Sequence, residues 1–260
     1  MGSDLLVVDI GNTHVVMGVY RGREFLADWR IHTKTRRTED ELAITIKELF
    51  RLEQMEFSSI GAAAISCVVP PLLPDFVHFC KRFFGVQPLV VGPGVRTGIS
   101  VKVDDPREVG ADRITNAAGA ISLYKPPLII VDFGTAITFD VVSAQNEYLG
   151  GAIAPGMSMS LAALSVNTAM LPRVELAKPP SVIGSNTINS MQSGMFYGFV
   201  SMVDGIVRKI KPLLGEEVTV IATGGEARLV AEASETINKL ESRLTLEGLR
   251  VIHENTRKGR

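Results

Sequence analysis

An internal repeat constrains the fold of this chain more than any other feature of its sequence. The segment LLVVDIG at residues 5–11 aligns without a gap onto LIIVDFG at residues 128–134, and the same offset is predicted to pair Val19 with Val142 in the next strand. Each copy reads as strand, Asp-x-Gly turn, strand, polar turn and strand. Two copies, each about half of the 260 residues, predict two similar domains rather than a solenoid.

Helical segments alternate with the strands in both halves, which predicts an α/β fold with mixed sheets flanked by helices. We place an N-terminal domain at residues 1–120, a C-terminal domain at residues 121–256 and a basic, solvated tail at residues 257–260. Thr38 and Glu41 form a capping-box pattern that predicts the start of a helix in the first half.

The charge and cysteine content favour a cytoplasmic protein. The formal net charge is −1, which gives no bulk attraction to nucleic acid or to an anionic membrane, and we expect neither as a partner. Cys67 and Cys80 form no metal-binding pattern and are expected to be reduced thiols, with one disulfide as the alternative. The apolar N-terminal run has no basic segment before it, so it predicts a buried strand rather than a signal peptide.

The two Asp-x-Gly turns carry the most informative chemistry. Asp9 and Asp132 each end a predicted strand, and Gly11 and Gly134 allow a tight turn whose backbone can approach a ligand. Amide N–H groups in such turns can cradle phosphate oxygens, whereas a carboxylate repels them unless a cation or water intervenes. A single Asp-x-Gly is more often an ordinary hairpin turn, but two copies at matching places predict a site for nucleotide phosphates.

Two further motifs are weak when taken alone. TGG at residues 223–225 joins a predicted strand to a helix, whose N-terminus favours an anion or a polar ligand edge. GADR at residues 110–113 places a carboxylate beside a guanidinium, but these residues alone favour a surface ion pair over a site by roughly two to one. The chain has neither a Walker A pattern nor Gly-x-Gly-x-x-Gly, so P-loop and Rossmann nucleotide sites are unsupported.

The order of these motifs resembles that of the type III pantothenate kinases, a family within the superfamily of actin, sugar kinases and acetate kinase. The resemblance extends from about residue 5 to residue 252 and rests on DIGNT (9–13), PREVGADR (106–113), DFGTA (132–136), GGAIAPG (150–156), GSNT (184–187) and TGG (223–225). It implies a duplicated actin-like (ribonuclease H-like) fold. It also implies ATP-dependent phosphorylation of pantothenate to 4'-phosphopantothenate, the first step of coenzyme A biosynthesis.

The resemblance implies roles for individual residues. Asp112 is the expected catalytic base, and the expected pantothenate-binding residues are Gly110, Ala111, Asp112, Arg113 and Thr187. The expected ATP-binding residues are Asp9, Ile10, Gly11, Asn12, Thr13, His14, Val15, Val16, Thr135, Thr223, Gly224 and Gly225. Asp132 is expected to bind a monovalent cation, K⁺ or NH₄⁺, and Asp9 to bind Mg²⁺ through water. The expected partners are ATP, pantothenate and a second copy of the chain in a homodimer.

One position departs from the family pattern, and two other functions are alternatives. Several family members carry a tyrosine seven residues before the GADR glycine, where this chain has Val103. Relatives of the family have been described as accessory factors in transcription, but DNA binding predicts a basic face or a recognition helix, and neither is evident in the sequence. The second alternative is a kinase that acts on another small hydroxyl or acyl substrate. Assays with a panel of substrates would distinguish it from a pantothenate kinase.

Overall fold

The computed structural model describes residues 3–34, 38–215 and 217–258, which divide into two units by their internal contacts. The first unit comprises residues 1–99, 104–122 and 245–260, and the second comprises residues 100–103 and 123–244. The described helices are α1 (Glu39–Leu52), α2 (Leu73–Phe79), α3 (Ala111–Leu123), α4 (Met157–Val166), α5 (Thr187–Leu214), α6 (Ala227–Ala231) and α7 (Leu244–Lys258).

The first unit is built on a five-stranded mixed sheet in the order β3-β2-β1-β4-β5. Its strands are β1 (Asp4–Ile10), β2 (His14–Arg21), β3 (Glu24–His32), β4 (Ile60–Cys67) and β5 (Leu89–Val90). Strand β1 is antiparallel to β2 and parallel to β4. Its apolar run is buried on both faces, which explains why it is continuous rather than alternating.

The second unit contains a six-stranded mixed sheet in the order β11-β10-β7-β8-β9-β6. Its strands are β6 (Ser100–Val101), β7 (Leu128–Phe133), β8 (Ala136–Val142), β9 (Glu147–Pro155), β10 (Thr219–Thr223) and β11 (Lys239–Leu240). The α/β class with two mixed sheets flanked by helices is therefore confirmed. Both sheets contain an antiparallel three-stranded segment joined by an Asp-x-Gly turn, as the repeat predicts.

The repeat extends to strand register, with one correction. Strand pairing joins Leu6 to Val19 in the first sheet and Ile129 to Val141 in the second. Val19 therefore corresponds to Val141, and the predicted correspondence with Val142 is wrong by one residue. Both β2 and β8 carry a register irregularity directly after these equivalent valines, so the two sheets bend at the same point.

The length of the Asp-x-Gly turn accounts for this shift. The N–H of Gly11 donates to the carbonyl of His14 at 3.0 Å, whereas the N–H of Gly134 donates to the carbonyl of Ala136 at 3.1 Å. The second turn therefore closes one residue sooner than the first. An ungapped sequence alignment cannot register this difference, because it applies one offset on both sides of the turn.

Helix α1 begins as its sequence predicts. The Thr38 hydroxyl accepts from the Glu41 amide at 3.3 Å, and the Glu41 carboxylate accepts from the Thr38 amide at 2.9 Å. Leu42, Ile46 and Phe50 are buried on one face of α1 and belong to the core on that side of the first sheet. The capping box thus sets the helix start, and the 3.6-residue spacing sets the buried face.

Helix α7 packs in the first unit, although it lies at the end of the chain. Leu246, Leu249 and Ile252 are buried in one cluster with Leu5 and Val7 of β1. The described division therefore differs from the predicted boundary, which placed residues up to 256 in the C-terminal domain. The reason is that the apolar stripe of α7 is buried against the first sheet, a choice that sequence order does not determine.

The C-terminal end of the chain differs from the predicted tail, and a short turn precedes α3. Arg257 and Lys258 of the predicted tail are exposed but lie within α7, and Gly259 and Arg260 lie outside the described residues. The connection before α3 contains a short 3-10 turn at residues 106–108. Within the described ranges, no helix is long and apolar enough to cross a membrane.

Candidate active site

The first Asp-x-Gly turn lies at the end of β1 in the first unit. Asp9 is half-buried at the strand end, and Asn12 and Thr13 are exposed at the tip of the turn. A methyl group at Gly11 would lie 3.0 Å from the His14 carbonyl oxygen, so a side chain there would press on the hydrogen bond that closes the turn. The glycine is therefore required by the close approach of the backbone to itself.

Two of the predicted ATP-binding residues can contribute only backbone groups. The side chains of Ile10 and Val15 are buried in the hydrophobic core of the first sheet. His14 is half-buried, and its ring centroid lies 5.0 Å from that of His32 on β3. Burial lowers the pKa of His14, and the positive charges of Arg30 and His32 lower it further. His14 is therefore held toward its neutral form beside the turn.

The GADR segment begins close to the first turn. The amide of Val68, just after β4, donates to the Ile10 carbonyl at 3.0 Å. A methyl group at Gly110 would lie 3.7 Å from Cγ1 of the same valine. Val68 thus connects the end of β1 to the start of α3, and both belong to the first unit. The end of β1 and the GADR segment therefore lie on either side of Val68.

Asp112 is fixed at the first turn of α3. Its Oδ1 accepts a hydrogen bond from the backbone N–H of Arg113 at 2.8 Å. A methyl group at Gly110 would lie only 2.4 Å from the same oxygen. A side chain at this position would therefore displace the Asp112 carboxylate. Asp112 and Arg113 are both half-buried, which leaves them accessible to a small substrate.

The rest of α3 is held by α7. The buried Asn116 accepts a hydrogen bond from the Thr245 hydroxyl at 2.6 Å, which makes its amide part of the packing between these helices. A methyl group at Gly248 would lie 1.9 Å from the Thr115 carbonyl oxygen, so only glycine allows this approach of α7.

The second Asp-x-Gly turn meets the TGG segment in the second unit. Strand pairing places Thr223 beside Asp132. Gly224 has a φ of 97°, and a methyl group there would lie 2.5 Å from both Asp132 Oδ1 and the Phe133 carbonyl oxygen. Glycine at position 224 thus accommodates both the positive φ and the close approach of these two oxygen atoms. Two motifs separated by about 90 residues are thus in direct contact.

The GGAIAPG segment closes the second turn. The amide of Gly156 donates to the Thr135 carbonyl at 3.1 Å. Gly156 is buried and is the residue from which α4 begins, whereas Thr135 is exposed. A methyl group at Gly151 would lie 1.6 Å from the Phe139 carbonyl oxygen, so β9 also requires glycine to pair closely with β8. This segment therefore supports the turn through backbone contacts.

Sequence reasoning missed one side-chain contact here. The hydroxyl of Ser158 on α4 donates to the carboxylate of Glu226. The amide of Glu226 in turn lies 3.4 Å from the Phe133 carbonyl. The only available signal was the position of Glu226 directly after the TGG segment. The contact ties the start of α4 to the segment that approaches Asp132.

Thr187 and the position of the family tyrosine both lie in the second unit. Thr187 is exposed at the first position of α5, after Asn186, whose side chain accepts from the Asn189 amide at 2.9 Å. Val103 follows β6, and its Cγ1 would lie 3.4 Å from a methyl group at Gly150. The single chain thus presents Thr187 to solvent and packs Val103 against β9.

The oxygen atoms around Asp132 suit a hard cation. Asp132 Oδ1 and the Phe133 carbonyl oxygen converge on Gly224, and oxygen ligands are those that such cations prefer. Across the part of the chain that the structure describes, no group of three or more His, Cys, Asp or Glu side chains could hold a metal ion. A cation here would therefore need backbone, water or phosphate oxygens in addition to the carboxylate.

Sequence comparison identifies relatives that span the chain. The family model for type III pantothenate kinase matches residues 5–209. A type III pantothenate kinase from an Exiguobacterium species is 50% identical over 254 residues, which cover 98% of this chain and 100% of that protein. The one from Geobacter sulfurreducens is 50% identical over 253 residues, with 97% and 99% covered.

Two solved structures show the same fold at low sequence identity. A Campylobacter jejuni protein described as a Baf family transcriptional activator gives a TM-score of 0.60 at 17% identity, covering 96% of this chain and 98% of its own. A propionate kinase from Francisella tularensis gives 0.53 at 9% identity, covering 98% and 99%. At these identities the likeness concerns the fold alone, which is the duplicated fold of the actin-like kinases.

Proposed function

This chain belongs to the type III pantothenate kinase family, and we propose how its own residues phosphorylate pantothenate. The activity is the ATP-dependent phosphorylation of pantothenate, which begins coenzyme A biosynthesis. A divalent metal accompanies the nucleotide in such kinases and neutralises charge on its phosphates. The observation that carries the residue-level proposal is the position of the Asp112 carboxylate over Gly110, within the same unit as the first phosphate turn.

The nucleotide is bound by the two Asp-x-Gly turns and the TGG segment. In the first turn, Asp9 would hold Mg²⁺ through water, and Asn12, Thr13, His14 and Val16 would contact the phosphates. Ile10, Gly11 and Val15 would act through their backbones. In the second unit, Thr135 binds phosphate, and the residues at 223–225 contact the adenosine side. Support comes from Gly11 and Gly224, because a side chain at Gly11 would crowd the backbone of the first turn and one at Gly224 would crowd the Asp132 carboxylate.

Asp112 is the general base in this proposal. A hydroxyl group is a poor nucleophile, and a positioned carboxylate that accepts its proton contributes about 10²–10⁴-fold to the rate. The Arg113 amide fixes Oδ1 of Asp112, and in this proposal the carboxylate so positioned accepts the proton. The Arg113 guanidinium matches the planar carboxylate of pantothenate. Gly110 and Ala111 let the substrate approach the backbone.

Asp132 binds a monovalent cation, K⁺ or NH₄⁺, in this proposal. Its carboxylate would otherwise repel the phosphates of ATP, and the neighbouring Phe133 carbonyl supplies a second oxygen of the type that K⁺ accepts. The ion would supply positive charge beside the phosphates. Asp132 itself would orient the ion and keep it at the turn.

We further infer that the chain acts in the cytoplasm and forms a homodimer. The homodimer is inferred from the exposed apolar residues of the second unit. Large apolar side chains that are exposed are concentrated between residues 149 and 188, where Met170 is 91% exposed and Ile183 is 82% exposed. Methyl groups at Gly194 and Gly198 on α5 would meet no atom within 4 Å. A concentration of exposed apolar side chains is typical of an association surface. Closed two-fold symmetry is its commonest form, and Thr187 would then reach the partner's pantothenate.

The test is a coupled ADP-release assay on the purified chain. We expect turnover with pantothenate and none at a comparable rate with glucose or acetate. Replacing K⁺ by tetramethylammonium should reduce the rate sharply, and Asp132→Ala should remove both the ion dependence and most of the turnover. Comparable turnover of glucose or acetate would contradict the substrate, and an unchanged rate without K⁺ or NH₄⁺ would contradict the cation site.

A further inference from the structure

Thr33 is bonded to the first Asp-x-Gly turn through two different groups. Its backbone N–H donates to the Thr13 carbonyl at 3.0 Å. Its hydroxyl donates to the Gly11 carbonyl at 2.6 Å. Thr33 follows directly after β3, is half-buried and belongs to the first unit. One residue outside the DIGNT motif therefore holds the carbonyl groups at both ends of the turn.

These bonds bear on phosphate binding because of the charge on the groups they hold. A carbonyl oxygen carries a partial negative charge and would repel a phosphate, whereas the N–H groups of a turn attract one. Holding the Gly11 and Thr13 carbonyls on Thr33 prevents the peptide units from turning these oxygens toward the nucleotide. A turn that is restrained before binding also loses less conformational entropy on binding.

The second turn has the backbone bond but not the hydroxyl bond. Gly156 stands 123 residues after Thr33, and its amide donates to the Thr135 carbonyl as that of Thr33 does to Thr13. A methyl group at Gly156 would lie 2.3 Å from the Thr135 carbonyl oxygen and 2.6 Å from that of Gly134, so no side chain fits there. The shorter turn is closed by backbone contact alone. The longer first turn has one more residue to restrain, and the Thr33 hydroxyl provides that restraint.

We propose that Thr33 is a positioning residue for the nucleotide, and that its hydroxyl holds the Gly11 carbonyl so that the first turn keeps the shape that binds the phosphates of ATP. The proposal rests on the proposed role of this turn in ATP binding. Thr33 acts through Gly11 and Thr13 and is not itself a catalytic residue.

The test compares Thr33→Val, which removes the hydroxyl and keeps the branched shape, with Thr33→Ser, which keeps the hydroxyl. We expect Thr33→Val to weaken Mg·ATP binding in calorimetry by roughly three- to tenfold, the range for one lost hydrogen bond. The KM for ATP should rise by the same factor, with kcat and the KM for pantothenate little changed. Thr33→Ser should bind ATP nearly as the unchanged chain does.

Thr45→Val is a matched control. Thr45 is also half-buried in the first unit, and its hydroxyl donates to the Glu41 carbonyl at 2.8 Å within α1. Loss of the Thr45 hydroxyl should leave ATP affinity unchanged, because α1 is not part of the turn. If Thr33→Val does not fold, Thr33→Ala replaces it, since a smaller side chain cannot clash. Loss of the folded state in both variants would assign Thr33 to folding and overturn the proposal.

The remaining outcomes separate this proposal from that for the turn itself. Asp9→Asn should weaken Mg·ATP binding if the turn binds the nucleotide as proposed. If Asp9→Asn weakens it and Thr33→Val does not, the role of Thr33 is overturned and that of the turn stands. If neither variant changes ATP affinity, the proposal for Thr33 and the proposal for the turn are both wrong. Equal losses in Thr33→Val and Thr33→Ser would also overturn the role of the hydroxyl.

Discussion

Gly110 and Asp112 lie so close together that a methyl group on the glycine would be 2.4 Å from Oδ1 of the aspartate. Carbon and oxygen atoms that are not bonded cannot approach this closely. Oδ1 is the end of a rotatable side chain and is otherwise held by the Arg113 amide. Any side chain at 110 would therefore displace the carboxylate before it displaced the backbone.

The first prediction concerns Gly110→Ala. The Asp112 carboxylate should rotate away from its bond with Arg113, so we expect kcat to fall by about 10- to 100-fold, as for misplaced catalytic groups generally. Thermal stability should change little. Gly92→Ala is the matched control, because a methyl group at Gly92 in the same unit meets no atom within 4 Å. An active Gly110→Ala enzyme would show that the carboxylate position does not matter for turnover.

The second prediction concerns Asp112 itself. Asp112→Asn keeps an oxygen that can accept from the Arg113 amide but removes the basic charge, so kcat should fall at least about 10²-fold. ATP affinity measured by calorimetry should stay near normal. Arg113→Ala should instead raise mainly the KM for pantothenate. Near-normal kcat in Asp112→Asn would reduce Asp112 to a structural partner of Arg113.

The third prediction concerns the exposed apolar residues of the second unit. Ile183→Glu would bury an unpaired charge in the inferred dimer interface, at a cost of several kcal/mol, and should convert dimer to monomer in light scattering. Ile44→Glu is the control, because Ile44 is similarly exposed but lies on α1 of the first unit. If the unchanged chain is an active monomer at assay concentration, the inferred interface is wrong.

The fourth prediction concerns Asp204, a buried carboxylate on α5. Its oxygens accept from the Ser234 hydroxyl at 2.5 Å, from the Glu235 amide at 3.1 Å and from the Thr236 hydroxyl at 2.7 Å. Burial by itself would raise the pKa of Asp204, but these hydrogen bonds together hold it below its ordinary value. Asp204→Ala should lower the free energy of unfolding at neutral pH by on the order of 3 kcal/mol.

The pH dependence of this effect follows from the sign of the shift. Because the folded-state pKa is depressed, the carboxylate contributes stability above its unfolded pKa, and this contribution is lost as the pH falls through the folded pKa. The difference in unfolding free energy between the unchanged chain and Asp204→Ala should therefore shrink on acidification below about pH 4. A denaturant titration at several pH values measures it.

Local patterns predicted the parts of this fold that depend on neighbours in sequence. The capping box at Thr38 was predicted correctly, and the strands predicted to end at Asp9 and Asp132 each end one residue later, at Ile10 and Phe133. These features depend on only a few adjacent residues. The meeting of Asp132 with Gly224 was implied only by the family resemblance. Their contact depends on β10 pairing with β7, which the sequence does not encode at short range.

The sequence by itself determined the α/β class, the duplication, the two carboxylate turns and the family, since spacing and residue type carry that information. Only the tertiary structure decided that α7 covers the first sheet, that Val141 rather than Val142 is the counterpart of Val19, and that the Thr33 hydroxyl restrains the first turn. These features arise from close packing between segments distant in the chain. Such packing selects among arrangements that a uniform run of apolar residues leaves equally open.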